Sequence, residues 1–408
     1  MSKVFKIFII LVFCGSAFSI ENITIKGKSG NVSKPKLGVI KFANDTNNLS
    51  AVVANDFMMS GEYNVILYDS AALAKDADYI VSGKVVKTPR GNSLDYVLTS
   101  VKNKTEELKG AGLIGNNVRL AAHITANHLY KKLTDSDGIF TSKIAYATIN
   151  QDNSSSIYVA DYDGYNIKQV IASNRPLSSI SWAPDGKSIA YVSYEKNKPI
   201  VFVQNLTTGN RYMLSNFFGS NSSPAFIDGK QLIVTLGLDD GSHLYVVPNK
   251  AFSKDTKIRL LTSYGSIDTE ANVSKSGVVV FTSDYNGGPQ IFITNLKGST
   301  PKRITFGLGD YNTTARFSND GKFITFISAD QSKNYKTYVM NLANNMAYPV
   351  TNGTSRDIAP TFAPNDKLIL FSSNNQMYIT NVDGSVQNAL PKINVKRLID
   401  QSWSNQFN

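Results

Sequence analysis

Residues 182–192 read W-A-P-D-G-K-S-I-A-Y-V: an aromatic residue, a tight turn and an apolar run in close succession. Asp185-Gly186 supplies the positive φ that a short turn between antiparallel strands requires. The run after it, residues 188–192, has the composition of a buried strand. The pattern returns down the chain. Phe226 precedes I-D-G-K, Val273 precedes S-K-S-G, Phe317 precedes S-N-D-G-K, Phe362 precedes A-P-N-D-K and Trp403 precedes S-N. Successive anchors lie 44, 47, 44, 45 and 41 residues apart. A second series of turn glycines, Gly164, Gly209, Gly298 and Gly384, falls 45, 89 and 86 residues apart, which is one, two and two of the same period. A repeat near 45 residues is the period of propeller blades.

Each repeat then offers the strands a blade needs. Second strands are expected at 188–192, 231–235, 278–282, 323–327 and 368–372, and third strands at 200–203, 244–247, 291–294, 337–340 and 377–380. A shorter polar fourth strand follows, as at Arg303-Ile304-Thr305. The anchors are expected to pack between neighbouring blades, each burial stabilising by about 1.5–3 kcal/mol. Six anchors imply six blades. Residues 143–148 form a second strand without an anchor strand before it, and Ser402-Trp403 an anchor strand without a successor. The C-terminal strand should therefore complete the blade begun at residue 143, which leaves short, protected sheet edges.

Ahead of the repeats, residues 20–135 mix two periods. A strand is expected at Leu37, Val39, Ile40 and Phe42. Leu49, Val52, Val53, Phe57 and Ser60 follow helical spacing, with Asn47 or Asn48 as cap and Gly61 as stop. Strands follow at 65–68, 79–86 and 96–101, then a helix carrying Val118, Ala121, Ala122, Thr125 and Leu129, with Asn117 as cap. The fold class expected is thus two-domain: an α/β sandwich over 20–135 and an all-β six-bladed propeller over 136–408.

The first 19 residues have the grammar of a secretory signal: Lys3 and Lys6, an apolar run at 7–13, and small residues at Ala17 and Ser19, placing cleavage after Ser19. The one cysteine, Cys14, follows Phe13 rather than a small residue, and leaves with the signal. The formal charge of +11 falls to +9 without Lys3 and Lys6, and no block of five basic residues marks a nucleic-acid tail.

Catalytic signatures are sparse. There is no G-x-S-x-G elbow, P-loop or C-x-x-C. His123 and His128 lie five apart on the second expected helix and diverge by roughly 140°, unlike a zinc pair four apart; they read as helix-surface or packing residues. The third histidine, His243, is remote. Asp161, Asp163, Asp185, Asp228, Asp320, Asp366 and Asp383 read as turn formers. Abundant carboxylates keep a glycosidase-type enzyme or a glycan-binding propeller as the alternative. Calcium in the central channel stays open too, although no EF-type loop argues for it.

Several segments resemble the TolB family, the periplasmic component of the Tol–Pal system: A-D-Y-D-G-Y-N (160–166), L-A-A-H-I-T-A-N-H-L-Y-K-K-L-T (120–134) with K-I-A-Y-A (143–147), the blade segment 182–192, and G-V-I-K-F (38–42). The resemblance implies a non-enzymatic, monomeric periplasmic scaffold without cofactor that supports the outer membrane and its constriction at division. It implies binding of the lipoprotein Pal at the propeller mouth, opposite the N-terminal domain, through Ser220, Asn221, Ser222, Ser223, Asp268, Thr269, Glu270, Asn312, Thr313, Thr314, Arg356 and Asp357. One of these loops carries a histidine in some relatives, and here it reads G-S-N-S-S-P, with Ser220 in that place. It further implies that TolA, an inner-membrane protein, binds the strand-like segment Ile20, Glu21, Asn22, Ile23, Thr24 and Ile25, and that other outer-membrane proteins and colicin-type toxins use the same scaffold.

Overall fold

The computed structural model describes residues 33–238, 241–263, 266–352 and 356–404. The signal reading (1–19) and the segment 20–25 lie outside them. No helix among the described residues is long and apolar enough to cross a membrane.

The N-terminal portion is a mixed sheet covered by two helices. Strands β1 (Lys36–Ile40), β2 (Asn64–Tyr68), β3 (Tyr79–Thr88), β4 (Gly91–Ser100) and β5 (Thr105–Leu113) lie in the order β2-β1-β3-β4-β5. β1 is parallel to both its neighbours, and β3, β4 and β5 form an antiparallel meander. Helix α1 (Leu49–Ser60) buries Leu49, Val52, Val53 and Phe57, and helix α2 (Val118–Thr134) buries Ala122, Ala126 and Leu129 in the same core. The structure adds β5 to the expected order. It also moves the start of α1: Asn48 occupies the cap position in a left-handed conformation without a side-chain bond. Asp45 does the capping, its Oδ2 accepting from Ser50 N at 3.0 Å. Asn117 caps α2 as expected, accepting from Leu120 N at 3.3 Å, and Gly61, at φ 70°, ends α1.

From Lys143 on, the described residues form six four-stranded sheets. Five are consecutive in sequence. The sixth joins Arg397–Trp403 to Lys143–Ile149, Ser155–Asp161 and Lys168–Ser173, so the C-terminal strand is the inner strand of the first blade. The inner strands Leu177–Trp182, Asn221–Phe226, Asp268–Val273, Tyr311–Phe317, Asp357–Phe362 and Arg397–Trp403 lie side by side, and the last returns to the first. The anchors pack between blades as expected. Trp182 sits in one cluster with Ala145 and Ile157 of the preceding blade, and its Nε1 donates to the Ser402 carbonyl at 3.1 Å.

The closing anchor also reaches the α/β portion. Trp403 is buried, stacks on Tyr162 with ring centroids 6.3 Å apart, and donates from Nε1 to Ser142 Oγ at 2.8 Å. Its apolar cluster runs from Leu370 and Ile379 of the propeller through Phe140 to Phe57 and Leu129 of the helices. Both portions therefore share one core. Trp403→Ala is expected to lower stability by about 3–5 kcal/mol, measured by urea unfolding. A loss below about 1 kcal/mol would show that the closing strand is not held by this side chain.

Candidate partner-binding face

Strand direction assigns the two ends of the propeller. Each inner strand runs from the loop that enters its blade to the anchor turn, and the second strand runs back. Blade-to-blade loops and the turns between second and third strands thus share one end, the mouth. Anchor turns and the turns between third and fourth strands share the other. The α/β portion touches that other end. Lys367 in an anchor turn donates to Glu62 Oε1 at 2.8 Å, and Tyr162, in the turn after Ser155–Asp161, donates to Asp56 Oδ1 at 2.7 Å. The mouth is therefore clear of the N-terminal helices.

The mouth carries apolar side chains in solvent. Phe218 (85% exposed), Ile267 and Phe306 (66% exposed) stand on blade-to-blade loops, Tyr311 begins an inner strand, and Tyr194 and Tyr285 occupy turns between second and third strands. Singly exposed apolar residues need no explanation, whereas clustered ones are the kind of surface proteins use for interaction. Arg303 stacks over Phe306 at 4.9 Å and presents a charged edge beside it.

The residues expected at the mouth divide by burial. Arg356 is exposed, and Ser220, Ser222, Ser223, Thr269, Glu270 and Thr314 are half-buried. Asn221, Asp268, Asn312 and Asp357 are at most 1% exposed, and Thr313 is also buried. The four polar residues fasten the loops from within. Asn221 accepts from Phe217 N at 2.9 Å and donates to Phe217 and Gly219 carbonyls. Asp268 accepts from Ser266 Oγ at 2.8 Å. Asn312 donates to Gln290 Oε1 and to the Gly309 carbonyl. Asp357 accepts from Thr337 N at 3.0 Å and from Thr337 Oγ1 and Thr351 Oγ1. Their side chains shape the mouth loops from below instead of facing outward.

Just inside the mouth, every inner strand is bulged. In five of them the bulge residue is a non-glycine with φ between 46° and 61°: Ser179, Ser223, Glu270, Thr314 and Ala359. Left-handed backbone costs such residues roughly 1–2 kcal/mol each. With Ile399 of the sixth strand they line one cavity of about 240 Å³. The ring is tied together by charge. Glu270 Oε2 accepts from Thr314 N at 3.0 Å and Thr282 Oγ1 at 2.9 Å. Arg316 donates to the Glu270 and Ala315 carbonyls. Asp400 accepts from Ile180 N at 2.6 Å. Burial pushes the Asp400 carboxyl up to about 6, against the opposing pull of the Ile180 N–H and the Arg316 charge.

The histidines are placed away from the rim or below its surface. His123 is buried between α2 and the propeller, a packing position, while His128 is exposed on α2 with Nδ1 2.9 Å from Tyr96 OH. His243 is buried on Gly241–Pro248, 3.7 Å from Asp268.

The family model of the TolB beta propeller domain matches residues 130–407. The Tol-Pal system protein TolB of Bordetella pertussis is 33% identical over 367 residues, covering 85% of this chain and 82% of that protein. The chain belongs to the TolB family. The TolB of Francisella tularensis subsp. mediasiatica is 29% identical, over 75% of this chain and 73% of its own length. The crystal structure of TolB from Acinetobacter baumannii superposes with a TM-score of 0.83 at 28% identity, over 91% of this chain and 97% of that one. A chain of the nidogen/laminin complex, 12% identical with a TM-score of 0.53 over 64% of this chain and 98% of that one, shares the fold alone.

Within this TolB-family chain, sequence reading named the loop feet and missed the rim. Phe218, Ile267, Phe306, Tyr311, Tyr194 and Tyr285 carry no periodic signal, since an exposed apolar side chain in a loop has the same letter as one in the core. The available clue was placement: Phe218, Ile267 and Phe306 stand one to five residues before an inner strand, Tyr311 begins one, and Tyr194 and Tyr285 follow a second strand by one or two residues. Strain in the bulge ring is directly testable. Ala359→Gly is expected to raise stability by about 1 kcal/mol in denaturant unfolding. A fall of similar size would mean that the left-handed backbone at this position is unstrained.

Proposed function

We propose that this chain is a non-enzymatic scaffold of the Tol–Pal system in the periplasm, with a mature form beginning at Ile20, an α/β domain over 20–135 and a propeller over 136–408. The mouth binds the peptidoglycan-associated lipoprotein Pal, and the segment 20–25 binds TolA. The observation that carries the Pal reading is the collar of exposed rings on a mouth left clear by the α/β portion. Aromatic anchors in a rim of hydroxyls and one arginine are the composition that dominates protein–protein interfaces. Membership of the TolB family supports the system, and the bulged, hydroxyl-lined channel behind the collar supports a rigid receptor that changes little on binding.

In this reading the direct contacts are Phe218, Ile267, Phe306, Tyr311 and Tyr285, together with Ser220, Ser222, Ser223, Thr269, Glu270, Thr314 and Arg356. Asn221, Asp268, Asn312, Thr313 and Asp357 act by holding the loops. The rim presents rings and hydroxyls, the chemistry of recognition, with the Glu270 and Asp400 carboxyls set in the channel behind it.

Calorimetric titration with the soluble domain of Pal tests the assignment. The double variant Phe218→Asp, Phe306→Asp is expected to bind at least about 30-fold more weakly, since two anchors contribute roughly 1–2 kcal/mol or more each. Its thermal midpoint should stay unchanged, because both rings stand in solvent. A chain lacking residues 20–25 should keep its Pal affinity and lose TolA. Wild-type Pal affinity in the double variant would remove the mouth from the account.

A further inference from the structure

At the junction of the α/β portion and the propeller, six charged or titratable side chains gather, four of them buried and the two basic ones, Arg119 and Lys143, reaching in from the surface. Asp56 comes from α1, Arg119 and His123 from α2, Lys143 from the first propeller strand, and Asp161 and Asp163 from the end of Ser155–Asp161 and the turn after it. Asp56, His123, Asp161 and Asp163 are each at most 2% exposed. Arg119 pairs with Asp163 and also lies 4.1 Å over the Tyr165 ring; Lys143 pairs with Asp161. His123 donates from Nδ1 to Asp56 Oδ2 at 2.9 Å, and the Tyr162 hydroxyl donates to the other oxygen of Asp56. Nε2 of His123 has no hydrogen-bond partner, yet it faces Asp161 Oδ2 and Asp163 Oδ2 at 3.9 Å each.

A charge count says what occupies Nε2. Three carboxylates meet two permanent cations, Arg119 and Lys143, which leaves one negative charge uncompensated. An unpaired buried charge costs several kcal/mol. A proton on the hydrogen-bonded Asp56–His123 pair makes the cluster neutral overall; burial lifts the Asp56 carboxyl too, and the neighbouring His123 opposes that rise. A divalent cation has the donors for a site, since ligand atoms of Asp56, His123 and Asp163 lie within 4.8 Å of one another. It would, however, overshoot to a net positive charge and have to compete with Arg119 for Asp163. The carboxylate–imidazole pair that orients many metal-binding histidines here aims its free nitrogen at carboxylates already bound to basic side chains.

We propose that His123 is an imidazolium in the docked molecule and that its proton links the α/β portion to the propeller, so that this junction loosens when the proton is lost. Burial opposes a charge on His123, but Asp56, followed by Asp163 and Asp161, outweighs it and lifts the ring above its ordinary 6.5. A raised value in the folded state gives a definite sign. The stabilisation is fully present below about 6.5 and is lost as the pH climbs through the higher folded value.

The test is nitrogen NMR of histidine-labelled full-length mature chain from about pH 5 to about pH 9, with His128→Gln used to assign the surface ring. His123 is expected to carry protons on both nitrogens at about pH 7 and to titrate above the ordinary imidazole range, with the thermal midpoint falling through the same range. His123→Gln should flatten that slope. If the variant folds poorly, the wild-type titration still decides. Zinc chloride should leave the wild-type midpoint unchanged. A His123 ring that is neutral at about pH 6, or a zinc-induced rise in midpoint that His123→Gln abolishes, overturns the proposal.

Discussion

One strand pairing holds the architecture: Arg397–Trp403 against Lys143–Ile149. These segments are the two ends of the propeller sequence, and their ladder turns five consecutive blades and two fragments into a ring without an open seam. Loop-closure entropy grows only slowly with the length of chain enclosed, so one inner strand with a buried tryptophan suffices to close so long a loop. The position of Trp403 explains why the α/β portion docks where it does. The same side chain that closes the ring contacts Tyr162 and Ser142, beside α1 and α2. Closure of the propeller and docking of its neighbour are thus one packing event.

The two ends of the ring have opposite physical character. At the docked end, apolar core continues from blade to helix, and charge is buried in compensated groups. At the mouth, apolar rings are left in water, buried amides and carboxylates hold the loops, and left-handed backbone is retained at Ser179, Ser223, Glu270, Thr314 and Ala359. Strain repeated at the same level of five blades follows from the bulge that every inner strand makes there. The bulge turns the pleat and aims backbone groups into the channel. The end that is strained, bulged and apolar on its rim is the one we propose meets another molecule, while the other end is already covered by the α/β portion.

Much of this was legible in the sequence because it is periodic. The anchors Trp182, Phe226, Val273, Phe317, Phe362 and Trp403 recur at blade spacing, and the orphan strand at 143–148 foretold the closure. What is not periodic was hidden. β5 (T-E-E-L-K-G-A-G-L) lacks alternating apolar residues because one face lies in solvent and the other, half-buried, carries glycines at 110 and 112 beside Leu108, with the Tyr96 ring over Gly110, so pattern alone does not mark it. Asp45 caps α1 from outside the expected cap positions because Asn48 takes a left-handed turn into the helix. Asp161 and Asp163 read as ordinary turn residues and do form a turn, but its place under α2 buries them against His123. Asn221, Asp268, Asn312 and Asp357 looked like surface polar groups, and their burial depends on carbonyls, hydroxyls and amides supplied by other strands and loops, which no local window contains.

The central claim is that the mouth, and not the α/β end, receives the lipoprotein partner. Hydrogen–deuterium exchange of the mature chain with and without the soluble domain of Pal tests it most directly. The account predicts slowed exchange confined to the loops around residues 216–223, 266–270, 284–289, 304–314 and 356–358, with α1 and α2 unchanged. Protection confined to the helices, or no protection at the mouth under saturating partner, would contradict it.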